Sequence, residues 1–457
     1  MATEPGRDAA GAVVRIGCGA GFANDRMEPA LDLVERGALD YLFFEGLAER
    51  TLAHSQRARH AQRDRGYNPT LERRIRLVLP ACRARGTRIV TNMGAANPAG
   101  AAAAVLEIAR ELGMTGLKIG VVEGDDVSHA IGPDHRLADA DCTAGAVGRQ
   151  MIGANAYLGA EPIVAALDAG ADIVITGRVA DPSLVVAPLM HHFRWRADDW
   201  QRLGAATMIG HLLECGFQIT GGYFADPGRK EVPGLARLGY PIAEVAENGD
   251  ATITKLAGIG GFVTRETVLE QLLYEVHDPA AYLTPDVTAD FSAAQIIEAG
   301  QDRIAVSGGN GRIRPENLKV TIGYDGGFRA EAGISYAGSG ALPRARLAAS
   351  VLVERMRDVH GLTEPLRTDL IGHASLHATA KAAQGIDADY RDIRLHATLC
   401  SGEERLARAL VDEMEGLWIA GPAGGGGVRG QVIPTVMTRT ALISREAVRP
   451  KVEILVA

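Results

Sequence analysis

Hydrophobic and polar positions alternate in a regular rhythm along the first 185 residues. Five short runs rich in β-branched and aromatic residues recur: "AVVRIG" (12–17), "LDYLFFEG" (39–46), "RIVTNMG" (88–94), "LKIGVVEG" (117–124) and "ADIVITG" (171–177). Between most of them lie amphipathic stretches such as "EPALDLVERG" and "AAAAVLEIARELG". Both stretches end in glycine, which predicts left-handed helix caps at Gly37 and Gly113. Strands alternating with helices predict right-handed βαβ crossovers and a parallel sheet. Ligands of such sheets bind at the carboxyl ends of the strands. Those ends read "GCGAGFANDR", "FEGLAERTL", "NMGAANP", "EGDDVSH" and "TGRVADPSL".

The pattern changes further along. Residues 186–300 are less regular and hold glycine-rich segments, "GHLLECGFQITGGYFADPG" and "KLAGIGGFVT". The last third mixes strands and helices without the βαβ rhythm. "LKVTIGYDGGFRAEAGISYAG" (318–338) predicts a β-hairpin turning at Asp325–Gly326–Gly327. A helix, the strands "RTDLIG" and "DIRLHATLC", and a second helix follow. The expected fold is α/β: an N-terminal doubly wound, mostly parallel sheet over 1–291, then an α+β domain over 292–457.

Composition narrows the function classes. Forty-seven per cent of the 457 residues are hydrophobic, enough for large cores, yet no apolar run reaches the roughly 18 residues of a membrane span. Net charge is −8, against a nucleic-acid partner. The arginine-dense stretch 55–86 has its bases at helical spacing among acids, as on a solvated helix face, although its arginines could rim an anion pocket. The five cysteines are widely spaced and form neither a disulfide framework nor a CxxC site. The N-terminal stretch lacks the pattern of a secretory leader. A cytoplasmic protein is expected.

One stretch repeats in part. "EPALDLVERGALDYLFFEGLAERTL" (28–52) lies over "EPIVAALDAGADIVITGRVADPSL" (161–184), matching Glu28 with Glu161, Gly37 with Gly170 and Glu49 with Asp181. A duplication, or two αβ units obeying the same turn chemistry, would both give this. Either way both loops belong on one edge of the sheet.

In the second loop, Asp181 before Pro182 suits a helix N-cap, and Ser183 fits the same first turn. Arg178, three residues earlier, would then face a ligand while Asp181 caps and orients. The candidate catalytic residues are Asp25, Glu45, Asp181 and His277; the candidate substrate-binding residues are Asn24, Arg26, Asn92, Asn97 and Arg178. Glu45 ends an apolar strand and would be costly to bury without a partner. His277 is a natural general acid–base near neutral pH, although a capping Asp278–Pro279 turn with a surface histidine explains it equally. Asn92 and Asn97 fit ligand binding or turn shaping. Asp125 and Asp126 at a strand end suit a cation, a ribose or a solvated loop, but no HxH, HExxH or CxxC motif supports a metal. In "GPAGGGGVRG", Gly424, Gly425, Gly426, Gly427 and Arg429 could form a loop offering backbone N–H groups to a phosphate or carboxylate.

Taken in order, "IGCGAGFANDR", "YLFFEGLAERTL", "NMGAANP", "GRVADPSL", "YEVHDPAAYLTPDVTADF" and "GPAGGGGVR" resemble the acyclic terpene utilisation (AtuA-type) family, from about Val14 to the C-terminus. The resemblance implies a bacterial cytoplasmic protein working among enzymes that degrade branched acids as coenzyme A thioesters. Many members of that family continue into a small C-terminal ferredoxin-like domain. "KVEILVA" carries no such module, so either a separate small ferredoxin-like protein supplies it or this chain works without it. The first expectation is a homo-oligomeric enzyme, lyase or isomerase, acting on a branched oxygenated acyl substrate. No redox cofactor is identified, and CoA enters as part of the substrate. The alternative is a non-catalytic binding or assembly subunit of a branched-acid catabolic complex.

Overall fold

The computed structural model describes residues 13–373 and 392–457. Residues 1–12, read above for a leader, lie outside the described residues. Two compact units divide the chain: unit 1 is Met1–Gly323 with Thr438–Ala457, and unit 2 is Tyr324–Met437.

Unit 1 opens with β1 (Val14–Gly21), α1 (Glu28–Arg36), β2 (Tyr41–Glu45), α2 (Glu49–Ala61), α3 (Leu71–Arg85), β3 (Arg88–Thr91), α4 (Pro98–Glu111) and β4 (Lys118–Glu123). Next come β5 (Met151–Ala156), α5 (Glu161–Asp168), β6 (Ile173–Thr176), α6 (Ser183–Phe193) and α7 (Trp200–Glu214). The strands β7 (Pro241–Val245) and β8 (Ala251–Lys255), helix α8 (Arg265–Leu273), and strands β9 (Tyr282–Leu283), β10 (Thr288–Asp290), β11 (Gln295–Gly300), β12 (Arg303–Ser307) and β13 (Asn310–Arg312) follow. β14 (Asn317–Ala337) leads into unit 2 with α9 (Ala341–Asp358), β15 (Leu366–Ile371), β16 (Asp392–Ser401) and α10 (Glu404–Ala420). β17 (Gly425–Ser444) and β18 (Lys451–Val456) end the chain.

The five expected strands are present, and they form the parallel centre of a ten-stranded sheet in the order β11-β12-β8-β7-β1-β2-β3-β6-β4-β18. The pairs β1–β2, β2–β3, β3–β6 and β6–β4 are parallel, while β7 and β18 flank them antiparallel. β2 and β6 are buried at every residue, as strands covered on both faces should be. On one face Leu42 and Phe44 of β2 meet Leu33 of α1, Ile75 and Val78 of α3 and Val105 of α4. α6 and α7 pack against β1. The register sets Gly21 beside Glu45, Phe44 beside Thr91 and Thr91 beside Ile175. The carboxyl ends of β1, β2, β3 and β6 therefore share one edge. Both copies of the partial repeat obey it: Glu28–Pro29 and Glu161–Pro162 start α1 and α5, and the loops after β2 and β6 emerge on that edge.

Several local expectations are corrected. Gly37 is not a left-handed cap: its φ is −86°, and Ala38 takes the positive φ instead. Gly113 does adopt the left-handed conformation, at φ 67°. The segment 317–337 is a single strand, not a hairpin. Its Asp325–Gly326–Gly327 stretch is a close-packed point within β14. A Cβ on Gly326 would lie 2.7 Å from Thr435 Oγ1, and one on Gly327 would overlap the Ser401 carbonyl. The glycines admit neighbouring strands rather than reverse the chain. The boundary placed at 291/292 falls inside unit 1, because β11 and β12 extend the large sheet.

Unit 2 is α+β, with strands and helices in the sequence β14-α9-β15-β16-α10-β17 and sheet order β15-β16-β14-β17. Numbered within the unit, that order is second, third, first, fourth: the split-βαβ, ferredoxin-like arrangement. This is the topology that the family resemblance placed outside the chain. Its core joins Ile334 and Tyr336, Leu352 and Met356, Leu395 and Leu399, and Leu410 and Met414.

Close backbone approach also fixes α7. Gly204 sits against β13, where an added Cβ would overlap the Asn310 carbonyl. Glycine to alanine in an exposed helix gains about 1 kcal/mol. Gly204→Ala is expected to reverse that sign and cost about 1–3 kcal/mol by overpacking. Urea unfolding would measure it; a stabilised variant would contradict the packing.

Candidate functional site

Glu45 is the last residue of β2 and only 8% exposed. Its Oε1 accepts hydrogen bonds from Leu47 N (2.6 Å) and Asn92 Nδ2 (3.3 Å). Asn92 follows β3 directly. Its Oδ1 accepts from Gly46 N at 2.9 Å, and its Nδ2 also reaches Asp181 Oδ1 at 3.3 Å. One amide thus joins two carboxyl groups from different strand ends.

Arg178 follows β6 and is 1% exposed. Its guanidinium pairs with Asp181, donates to Leu47 O, and gives Nε to Val179 O at 2.8 Å. It also lies 4.3 Å over the Tyr157 ring. Its backbone N–H donates to Asp125 Oδ2 (2.8 Å), which also takes Asn155 Nδ2 (2.7 Å). Beyond Tyr157, its hydroxyl donates to Glu49 Oε1 at 2.6 Å, and Lys319 Nζ donates to the same oxygen at 2.8 Å.

The electrostatics follow from burial. Desolvation, then the charge of Asp181, raises the Glu45 carboxyl to about 8. Burial also raises Asp181, against the pull of Arg178. Asp125 is pushed up to about 6 by burial, opposed by the Arg178 and Asn155 hydrogen bonds. At Glu49 burial is outweighed by Lys319 and Tyr157, which hold it at about 2. The Asp181 side chain is 32% exposed, so of the two carboxyls joined by Asn92 it is the one nearer solvent.

Glu45, Asn92, Arg178 and Asp181 are therefore brought together, but two roles differ from expectation. Asp181 does not cap α6: the N-cap position is Pro182, with no side-chain cap, because the Asp181 carboxylate is taken by Arg178 and Asn92. Ser183 instead donates to Asp286 Oδ2 at 2.5 Å. The Arg178 guanidinium is spent on Asp181 and on the carbonyls of Val179 and Leu47, so it braces the loops after β6 and β2.

The other candidates do not join the group. Asn24 and Arg26 are exposed, and Arg26 points Nη1 toward the carbonyls of Leu235 and Ala236. Asp25 is buried and shapes its own loop, accepting from Gly21 N and Arg26 N, both at 2.9 Å. Arg74 departs from the solvated-face reading: it is 1% exposed and donates to the carbonyls of Gly19, Asp25 and Arg26. Asn97 is the N-cap of α4, accepting from Gly100 N at 3.0 Å. His277 is exposed, and Asp278 accepts from Ala280 N at 2.9 Å, the capping turn set against catalysis above. Gly425, Gly426, Gly427 and Arg429 belong to β17 rather than to a loop; only Gly424 precedes it. Arg429 lies in unit 2, beside a groove of about 430 Å³ with Glu415 and Trp418. Asp126 accepts from Ser128 Oγ at 2.7 Å. Among the described residues no three His, Cys, Asp or Glu are grouped to hold a metal ion. A groove of about 680 Å³, lined by Trp200, Ile313, Arg314 and Arg445 among others, includes none of the carboxylate group.

Sequence reasoning missed Glu49, Tyr157, Lys319 and Asn155. Only Glu49 carried a signal, its alignment with Asp181 in the partial repeat. No helix among the described residues is long and apolar enough to cross a membrane. The family model "Acyclic terpene utilisation family protein AtuA" matches residues 14–454. The chain belongs to the acyclic terpene utilisation family. Membership ties this AtuA family chain to a catabolic role in acyclic terpene utilisation. No curated protein and no solved structure matches it.

Arg178→Ala in this AtuA family chain leaves the buried Leu47 and Val179 carbonyls without their donors and is therefore expected to cost about 1–3 kcal/mol of stability, more than an exposed arginine would. Urea denaturation tests this; a loss below about 0.5 kcal/mol, the range of a surface change, would contradict the buried role.

Proposed function

We propose that this AtuA family member is an enzyme that moves a proton beside the carbonyl of a branched, oxygenated acyl substrate carried as a CoA thioester. The reaction class is hydration–dehydration or isomerisation. The supporting observation is the Glu45–Asn92–Asp181 group: two carboxyls on one amide, in unlike environments. Such pairs divide acid and base roles. Buried Glu45, raised to about 8, holds its proton at neutral pH and is the general acid. Asp181, paired with Arg178 and reaching solvent, carries the charge and is the general base. Asn92 fixes the spacing of both. Arg178 acts through Asp181.

A second reading, a binding or assembly subunit, draws on unit 2. There Trp418 and Ile419 of α10 are 61% and 89% exposed, as on a contact surface. A homo-oligomer or a small ferredoxin-like partner belongs to that reading.

Turnover on a panel of branched acyl-CoAs separates the two. Glu45→Gln and Asp181→Asn, each nearly isosteric, are expected to lower kcat/KM by about 10²–10⁴-fold while the chain stays folded. Undiminished turnover in both variants, or none in the wild type, would overturn the enzymatic reading.

A pH prediction follows from the same group. The folded-state pKa of Glu45 lies above its ordinary 4.5, so the folded protein holds the extra proton. Stability is then expected to fall as pH rises from 4.5 to about 8. Glu45→Gln should flatten that slope in denaturant titrations across the range; an unchanged slope would place the proton elsewhere.

A further inference from the structure

The end of α7 closes the third side of the carboxylate group, and two close contacts locate it. Gly210 packs on the residue after Asp181: an added Cβ would lie 2.8 Å from Pro182 Cα. At the far end of the same turn, the backbone of Cys215 presses on Gly21, where an added Cβ would overlap it. Gly21 is the register partner of Glu45. Glu214, between these two contacts, therefore lies between the ends of β1 and β2 and the Asp181 loop.

The local polar groups are incompletely used. Glu214 Oε1 faces His211 Nδ1 at 3.0 Å, and Gln271 Nε2 donates to His211 O at 3.0 Å. His211 is 1% exposed, with its ring against Tyr282 and Phe291. Glu214 Oε2, His211 Nε2 and Gln271 Oε1 are all buried without a partner among the described residues. Each such group forgoes a hydrogen bond that it would make in water. Three gathered where the end of α7 meets α8 mark a place where a further polar group is received. Burial, with the charge of Asp181 adding to it and His211 opposing, raises Glu214 to about 7.

We infer that Glu214, seated by His211, is a third acid of this site that protonates a hydroxyl leaving from the β-carbon of the substrate. The inference rests on the proposed function and chooses between its two reaction classes. Isomerisation needs one base and one acid, whereas dehydration also needs a proton for the departing hydroxyl. The Asp181 carboxylate takes the α-proton, and the C–H electron pair passes into an enolate that Glu45 hydrogen-bonds. The enolate re-forms the carbonyl and a C=C bond, the C–O bond breaks, and the hydroxyl leaves with the Glu214 proton as water. Asp181 ends protonated and Glu214 ionised, and solvent resets both. No oxidant or reductant enters. Glu214 touches the leaving group; His211 is a positioning residue.

The test uses β-hydroxyisovaleryl-CoA in deuterium oxide, following α-proton exchange by NMR and enoyl thioester formation by absorbance. The wild type is expected to do both. Glu214→Gln should retain exchange but lose dehydration by about 10²-fold or more, the worth of a general acid. His211→Asn should slow dehydration and move its alkaline limb to higher pH, because His211 holds the Glu214 pKa down. Dehydration at the wild-type rate in Glu214→Gln, or an equal loss of exchange and dehydration, would overturn the role of Glu214. Absence of exchange in the wild type, or its persistence in Asp181→Asn, would instead sink the underlying assignment and the inference with it.

Discussion

A guanidinium buried at the end of a parallel strand governs the rest of this arrangement. An isolated charge in that position would be prohibitively costly. Arg178 is tolerated because its donors are spent on Asp181, Leu47 O and Val179 O, and because its face lies on Tyr157. Those bonds tie the loop after β6 to the loop after β2. They also prevent Asp181 from serving α6 as a cap. The helix start that "ADPS" suggests is built on Pro182 alone, and the aspartate is held by a guanidinium and an amide.

The same constraint separates the carboxyl groups. Asp181 has a cation at contact and an opening to solvent; Glu45 has neither and answers burial by keeping its proton. Asp125, behind them, accepts the Arg178 backbone N–H and fixes the turn from which the guanidinium extends. Glu49 is held in its charged form by Lys319 and Tyr157 on the far side of the same ring. The carboxyl groups thus differ through their surroundings: burial raises Glu45 and Asp125, while Lys319 and Tyr157 hold Glu49 down.

How much of this was legible depended on the range of the signal. β1, β2, β3, β4 and β6 were readable because their apolar runs are local and their crossovers periodic, and the parallel sheet followed from them. The partial repeat, a local match carried onto a topology, placed Glu45 and Asp181 on one edge. The signal failed where the partner was distant. Nothing near Arg178 says that Leu47 O and Tyr157 will consume it, and nothing near Arg74 says that three carbonyls of the β1 loop will bury it. Glycine misled in both directions. In β14 it permits close strand packing where the sequence suggested a reversal, and in β17 it lies within a strand where the sequence suggested an anion loop. The ferredoxin-like order of unit 2 was hidden because a split βαβ leaves no periodic trace.

The central claim is that Glu45 keeps its proton at neutral pH beside Asp181. Infrared difference titration of the wild type against Glu45→Gln reads that proton directly. The account predicts a protonated carboxyl C=O band in the wild type that persists at pH 7, fades as pH approaches and passes about 8, and is missing from the variant. A band that vanishes near the ordinary carboxylate range, about 4 to 5, or that survives unchanged in Glu45→Gln, would contradict it.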